Sequence, residues 1–160
     1  MEPSSDRFSE ILRRLKGAPL RLKRVTGRVP TAHLNRRSAE EPWSVSDILA
    51  HLRACSAVWG GSIVAMLTHD QPTLRYVSPR TWIRKTDYLE HEFGPALKAF
   101  AHERGNLLAV LAKLDPPGWA RRGTFTGTTP RGRDQTVLSM AERLANHEQG
   151  HLDQIEALLS

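Results

Sequence analysis

The chain has 160 residues, 39% hydrophobic and 25% charged, which is the size and composition of one folded domain spanning 1–160 rather than of a disordered polymer. No run approaches the roughly 18–20 consecutive apolar residues of a membrane span. The charged N-terminus lacks the apolar core of a signal peptide, and the lone Cys55 excludes an internal disulfide, so a cytoplasmic protein is expected.

A net charge of +6 raises nucleic acid as a partner. The basic residues gather between Arg13 and Arg28 and again between Arg121 and Arg133, but neither group builds an aromatic platform for stacked bases. They read as solvated faces, and a small-molecule substrate is the expected partner.

In chain order, Phe8, Ile11, Leu12, Leu15, Leu22 and Val25 recur at helical spacing and predict a first helix over about 5–27, with a kink or restart at Gly17 and Pro19. A connector follows from Pro30 to Pro42, with one short turn near Ala32 to Leu34. Ser44 and Asp47 form a capping-box pattern that opens a second helix running to about Leu67. The stretch from His69 to Pro79 reads as a loop. A third helical region is expected over about 80–114, bent at Gly94–Pro95 and stopped by Asp115-Pro116-Pro117-Gly118. Trp119 to Gln135 reads as a loop in which only Thr124–Phe125–Thr126 looks like strand. A last helix begins near Thr136. Four amphipathic helices without a convincing sheet predict an all-α four-helix bundle.

The last helix carries His147 and His151, an i,i+4 pair whose imidazoles share one face and reach one ion. Both border its apolar stripe. His51 lies at the margin of the apolar face of the second helix, so two packed helices would present three imidazoles to a shared divalent metal. His33, His69, His91 and His102 lack such spacing and read as surface or loop residues. Cys55, one turn after His51, faces either the site or the core. Trp43 and Trp59 read as core anchors.

His147-Glu148-Gln149-Gly150-His151 also spells the zinc-protease signature, in which the glutamate is the general base. A protease is not expected. Only nine residues follow His151 to supply a further ligand, Gly150 weakens the helix, and no strand edge is predicted to align a peptide. Glu148 points about 100° away from His147 on an ideal helix and is expected in a surface or inter-helix salt bridge.

Three pieces together resemble the DinB-like, YfiT-related superfamily of four-helix proteins. They are Trp43-Ser44-Val45 leading into Asp47-Ile48-Leu49-Ala50-His51-Leu52, then Arg104 with Leu107–Leu108, then His147-x-x-x-His151-x-x-Gln154-Ile155. The resemblance implies an up-down-down-up bundle, a homodimer, and a divalent ion on His51, His147 and His151. Zinc or nickel suits such a site, with iron or manganese as further candidates. Relatives in this superfamily include S-transferases that use a low-molecular-weight thiol and metal-dependent hydrolases. The expected function is accordingly metal-dependent S-transfer, with hydrolysis or non-catalytic metal binding in stress or detoxification as alternatives.

Arg104 places a charge on an apolar stripe, and a buried charge needs a partner. The structural partner would be Glu41, Asp47 or Glu142. The functional one would be an anionic cofactor or substrate near the metal, which makes Arg104 a candidate cofactor-binding residue. Arg121, Arg122 and Arg131 could close over the pocket and attract an acidic thiol.

Overall fold

The computed structural model describes residues 5–160. Helix α1 covers Ser5–Thr26 in one piece, so of the kink or restart expected at Gly17 and Pro19 the restart does not occur. Pro19 has no N–H to give the carbonyl four residues back. That carbonyl, of Leu15, instead accepts a 2.8 Å bond from Nη1 of Arg104. A side chain from another helix fills the gap in the ladder, and Pro19 is buried.

The expected short turn is α2, Thr31–Leu34. Helix α3 spans Val45–Thr68 and opens on the predicted capping box. The Asp47 N–H donates to Ser44 Oγ at 3.0 Å and the Ser44 N–H to Asp47 Oδ2 at 2.9 Å. This helix is long and apolar enough to cross a bilayer, with a mean hydropathy of 1.3, but 67% of that window is buried inside the bundle.

The third region is not one helix. It divides into α4 (Pro79–Ile83), a 3-10 turn at Tyr88–Glu90, and α5 (Phe93–Leu111). Arg53 on α3 holds this folded-back segment. Its buried guanidinium donates to Nδ1 of His91 and to Oε1 of Glu103, each at 3.0 Å, and lies 4.0 Å from the Tyr88 ring centroid. Pro95 stands in the first turn of α5, where a missing N–H breaks no helical bond, so Gly94–Pro95 starts the helix rather than bending it. Leu89, in the 3-10 turn, is left 57% exposed.

Asp115 caps the short α6 (Pro116–Trp119). The stretches expected as loops then contain a small sheet of β1 (Thr73–Arg75), β2 (Arg122–Thr126) and β3 (Asp134–Thr136), with α7 (Pro130–Arg133) before β3. β1 pairs parallel to β2 with Thr73 opposite Thr124, and β3 pairs antiparallel with Thr136 opposite Arg122. β2 lies so close to α3 that a Cβ on Gly123 would meet Met66 Cγ at 2.9 Å. Helix α8 (Val137–Leu159) starts on a second capping box, Thr136 with Ser139.

The four long helices form a ring in which α8 touches α1 and α3, and α5 touches the same two from the other side. The pairings give the directions. Arg7 meets Glu142 and Arg21 meets Asp153 and Glu156, so α1 and α8 run parallel. His51 meets His147 while Trp59 sits under Arg143, so α3 and α8 run antiparallel. Arg53 meets Glu103 and Gly60 faces Leu107, so α3 and α5 run parallel. The order is up-down-down-up, as the resemblance implies. Much of the basic face of α1 is spent on α8, since Arg14 also donates to Asn146 at 2.8 Å.

The core falls into two apolar clusters. One holds Leu15, Cys55, Trp59, Ile63, Phe125 and Leu144, and the other holds Leu22, Ile48, Leu52, Phe100, Leu152 and Ile155. Between them along α3 and α8 lies a polar layer of His51, Ser56, Arg104 and Glu148, all buried.

Candidate metal centre

Antiparallel packing of α3 against α8 brings three imidazoles to one point in that layer. His51 Nε2 stands 3.0 Å from His147 Nε2, and His147 Nε2 stands 3.1 Å from His151 Nε2. All three ligand nitrogens lie within 4.8 Å of one another. Nitrogens sharing one ion at about 2.0–2.1 Å stand roughly 3.0–3.4 Å apart in octahedral or tetrahedral sets, so the two spacings about His147 fit a single divalent cation. Three facing nitrogens also exceed what hydrogen bonding between neutral imidazoles satisfies, because each ring donates from one nitrogen only.

The surroundings favour the metal-binding form of the rings. Burial, reinforced by the neighbouring His151 and His147 and by Arg80, lowers His51 to a pKa of about 4. Burial, with His151 and Arg143, lowers His147 likewise to about 4. Both are therefore neutral near pH 7 with lone pairs free. The Nδ1–H of His151 donates to Gln154 Oε1 at 2.9 Å, which turns its Nε2 lone pair toward the cluster. Aromatic rings close the sides: Trp43 lies 5.0 Å from His51 and 6.4 Å from His151, and Trp59 meets His147 edge-on at 5.0 Å.

Two measurable consequences follow from this packing. Gln154→Ala frees the His151 ring and is expected to weaken zinc affinity about 10–100-fold, measured by chelator competition, with little change in fold. The metal-free protein should also lose stability in acid. Between pH 6.5 and 4 the unfolded chain binds protons at His51 and His147 that the folded chain refuses, so stability falls as pH falls. His51 alone contributes about 2 kcal/mol of that loss by pH 5, and urea unfolding at pH 7 and pH 5 would read it.

Cys55 resolves as both of its expected readings. It is fully buried in the core, and its Sγ lies 3.4 Å from His51 Nε2. Burial pushes its thiol up to about 12, so on its own it stays protonated. Trp43, expected as a core anchor, is half-buried and forms a wall of the site, whereas Trp59 is a core residue. His33, His69, His91 and His102 are exposed as predicted.

Arg104 is placed differently from its expected cofactor contact. It is 1% exposed, its Nη1 donates to Glu148 Oε2 at 2.9 Å, and its Nη2 pairs with the other carboxylate oxygen and reaches Ser56 Oγ at 3.4 Å. None of the three carboxylates expected as its partner is used: Asp47 is held by Arg37 and Glu142 by Arg7. Glu148 faces the bundle interior, not the surface, in the inter-helix ion pair that was the other expectation. Burial pushes its carboxyl upward while Arg104 opposes the shift. So engaged, it is no general base, and the protease reading has no centre.

The late-loop arginines do not cover the site. Arg121 donates to the carbonyls of Met66 at 2.7 Å and His69 at 2.8 Å, closing the C-terminal end of α3, about 20 Å along that helix from His51. The cleft beside His51, of about 430 Å³, is lined instead by Arg37, Arg80 and Arg84 together with Trp43. Arg80 and Arg84 share one face at i,i+4, a spacing visible in the sequence but masked by the expectation of one long amphipathic helix.

An up-down-down-up helical bundle with three convergent imidazoles on its second and fourth long helices defines a class of candidate metalloproteins. The DinB superfamily model matches residues 14–155, and the chain belongs to that superfamily. The solved structure of YfiT from Bacillus subtilis, described as a probable metal-dependent hydrolase with an unusual four-helix bundle topology, superposes with a TM-score of 0.82 at 18% identity, over 98% of this chain and 87% of that one. No curated protein matches the sequence significantly.

Proposed function

We propose that the chain is a metal-dependent S-transferase that uses a low-molecular-weight thiol at the three-histidine centre. The observation that carries this reading is the convergence of imidazole nitrogens from α3 and α8 beside an open cleft. A divalent ion there, zinc or nickel first and iron or manganese next, would supply a double charge and open positions that bring a thiol or water toward ionisation near neutral pH. The protein's own groups prepare the place. His51 and His147 remain unprotonated through burial, Gln154 orients His151, and Trp43 and Trp59 exclude water from two sides.

Thiol is favoured over water by the carboxylates. Among the described residues, the carboxylates nearest in sequence to the histidines are all engaged, Glu148 by Arg104, Asp153 by Arg21, and Asp47 by Arg37 and the Ser44 cap. None of them is free to take a proton from water. A thiol, with an ordinary pKa of about 8.5, needs far less assistance.

Hydrolysis is the second reading, favoured by the description of YfiT. Metal-loaded protein should conjugate monochlorobimane with one member of a thiol panel (bacillithiol, mycothiol, glutathione, cysteine) and lose that turnover on His147→Ala. Metal-dependent cleavage of esters without any thiol would replace transfer by hydrolysis. Absence of both activities in zinc- and nickel-loaded protein would leave non-catalytic metal binding. A homodimer belongs to the same proposal and is read by light scattering.

A further inference from the structure

The cleft beside His51 carries an imbalance of charge. Of its three arginines, Arg37 is neutralised by a two-point pair with Asp47, at 2.7 and 2.8 Å. Arg80 and Arg84, at one end of α4 and just beyond the other, have no carboxylate within salt-bridge distance among the described residues. They stand one helical turn apart, where like charges repel. Arg80 is also positioned: its guanidinium carbon lies 5.2 Å from the centroid of Trp43, the ring that packs on His51 and His151. Two unneutralised guanidinium groups therefore border a cleft that has an apolar side, Trp43, Ile83 and Leu89, and is otherwise lined by Pro42, His51 and the Arg37–Asp47 pair.

Such an arrangement selects a ligand class. A guanidinium presents parallel N–H donors that match a carboxylate or phosphate at two points, and a pair of them offers more donors than one oxyanion needs. The apolar wall suits a carbon skeleton, and about 430 Å³ is the size of a small-molecule site. A cationic ligand would meet two positive side chains and, in the loaded protein, a dication.

We propose that Arg80 and Arg84 form an oxyanion subsite that holds the carboxylate or phosphate of a small organic acid while its reacting end lies at the three-histidine centre. The inference rests on the reading of that centre as the reactive site, but the subsite itself binds through charge and does not require the ion. It also gives this face of the short α4 a role that ion pairing does not account for.

The test is calorimetric titration of metal-free and zinc-loaded protein with phenyl phosphate, benzoate and the neutral benzamide. Wild-type protein should bind one or both anions and discriminate against benzamide. Arg80→Ala/Arg84→Ala should weaken anion binding about 10–100-fold in a protein that still binds one equivalent of zinc, and Arg80→Lys/Arg84→Lys should recover part of the loss. Preference for phenyl phosphate or for benzoate tells which oxyanion the subsite is built for. Anion affinity equal in wild type and the double alanine variant, in both metal states, would overturn the proposal, as would equal binding of benzamide. His147→Ala separates the two ideas: if zinc binding is absent even in wild type but arginine-dependent anion binding persists in this variant, the metal reading fails and the subsite stands.

Discussion

Arg104→Met is expected to destabilise the folded chain by about 3–5 kcal/mol in urea unfolding at pH 7. The guanidinium is the counter-charge of a carboxylate that is itself 1% exposed, in a layer between two apolar clusters. Without it Glu148 either remains charged in a low-dielectric interior or binds a proton, and both are unfavourable. The loss extends to α1, because the Leu15 carbonyl that Pro19 leaves without a helical donor depends on the same side chain. The sign of the pH dependence is definite. A carboxyl whose folded pKa lies above its unfolded value weakens the fold increasingly as pH rises, so the variant should lose more at pH 8 than at pH 5. Arg104→Met/Glu148→Leu should recover most of the stability, since replacing both ions leaves no unpaired charge. A single-variant loss below 1 kcal/mol would show that the pair is not the electrostatic centre of the bundle.

His147→Ala should lower zinc affinity about a hundredfold or more. Apparent zinc affinities of about 10–16 kcal/mol are shared among four ligands in structural sites, so each contributes roughly 3 kcal/mol. His147 is the middle member of the cluster, within 3.0 Å of His51 and 3.1 Å of His151, so its removal leaves two nitrogens without their bridge. In metal-free protein the same change should slightly relieve the fold in mild acid, because one half-buried imidazole with a depressed pKa is gone. Retention of stoichiometric zinc at wild-type affinity would remove the proposed centre.

The two effects are coupled through α8. Glu148 and His147 are adjacent, and the rotation of the helix that points one carboxylate to Arg104 points the neighbouring imidazole to His51. Both contacts are therefore met by one and the same rotation of α8.

The histidine centre was legible because its signals are local. An i,i+4 pair fixes two imidazoles on one helix face whatever surrounds the helix, and the Ser44–Asp47 box sets where α3 begins and so where His51 stands. The sheet was not legible: its strands are three to five residues long, and β1 is joined to β2 across about fifty residues of chain. The partner of Arg104 was missed for a related reason. Glu148 was judged by its angle from His147, and that angle, pointing away from the metal, is what turns it into the bundle interior. Arg80 and Arg84 were hidden inside a supposed continuous helix, whose folded-back segment Arg53 holds from α3.

By itself the amino-acid sequence determined long amphipathic helices, the Ser44–Asp47 cap, and the shared face of His147 and His151, since periodicity, capping and helical spacing act over a few residues. The tertiary structure alone decided the unbroken course of α1 through Pro19, the pairing of Arg104 with Glu148, and the arginines that border the cleft. Each of these depends on groups far apart in the chain that meet only after packing, when burial makes an unpaired charge or an unsatisfied carbonyl unfavourable enough to select its partner.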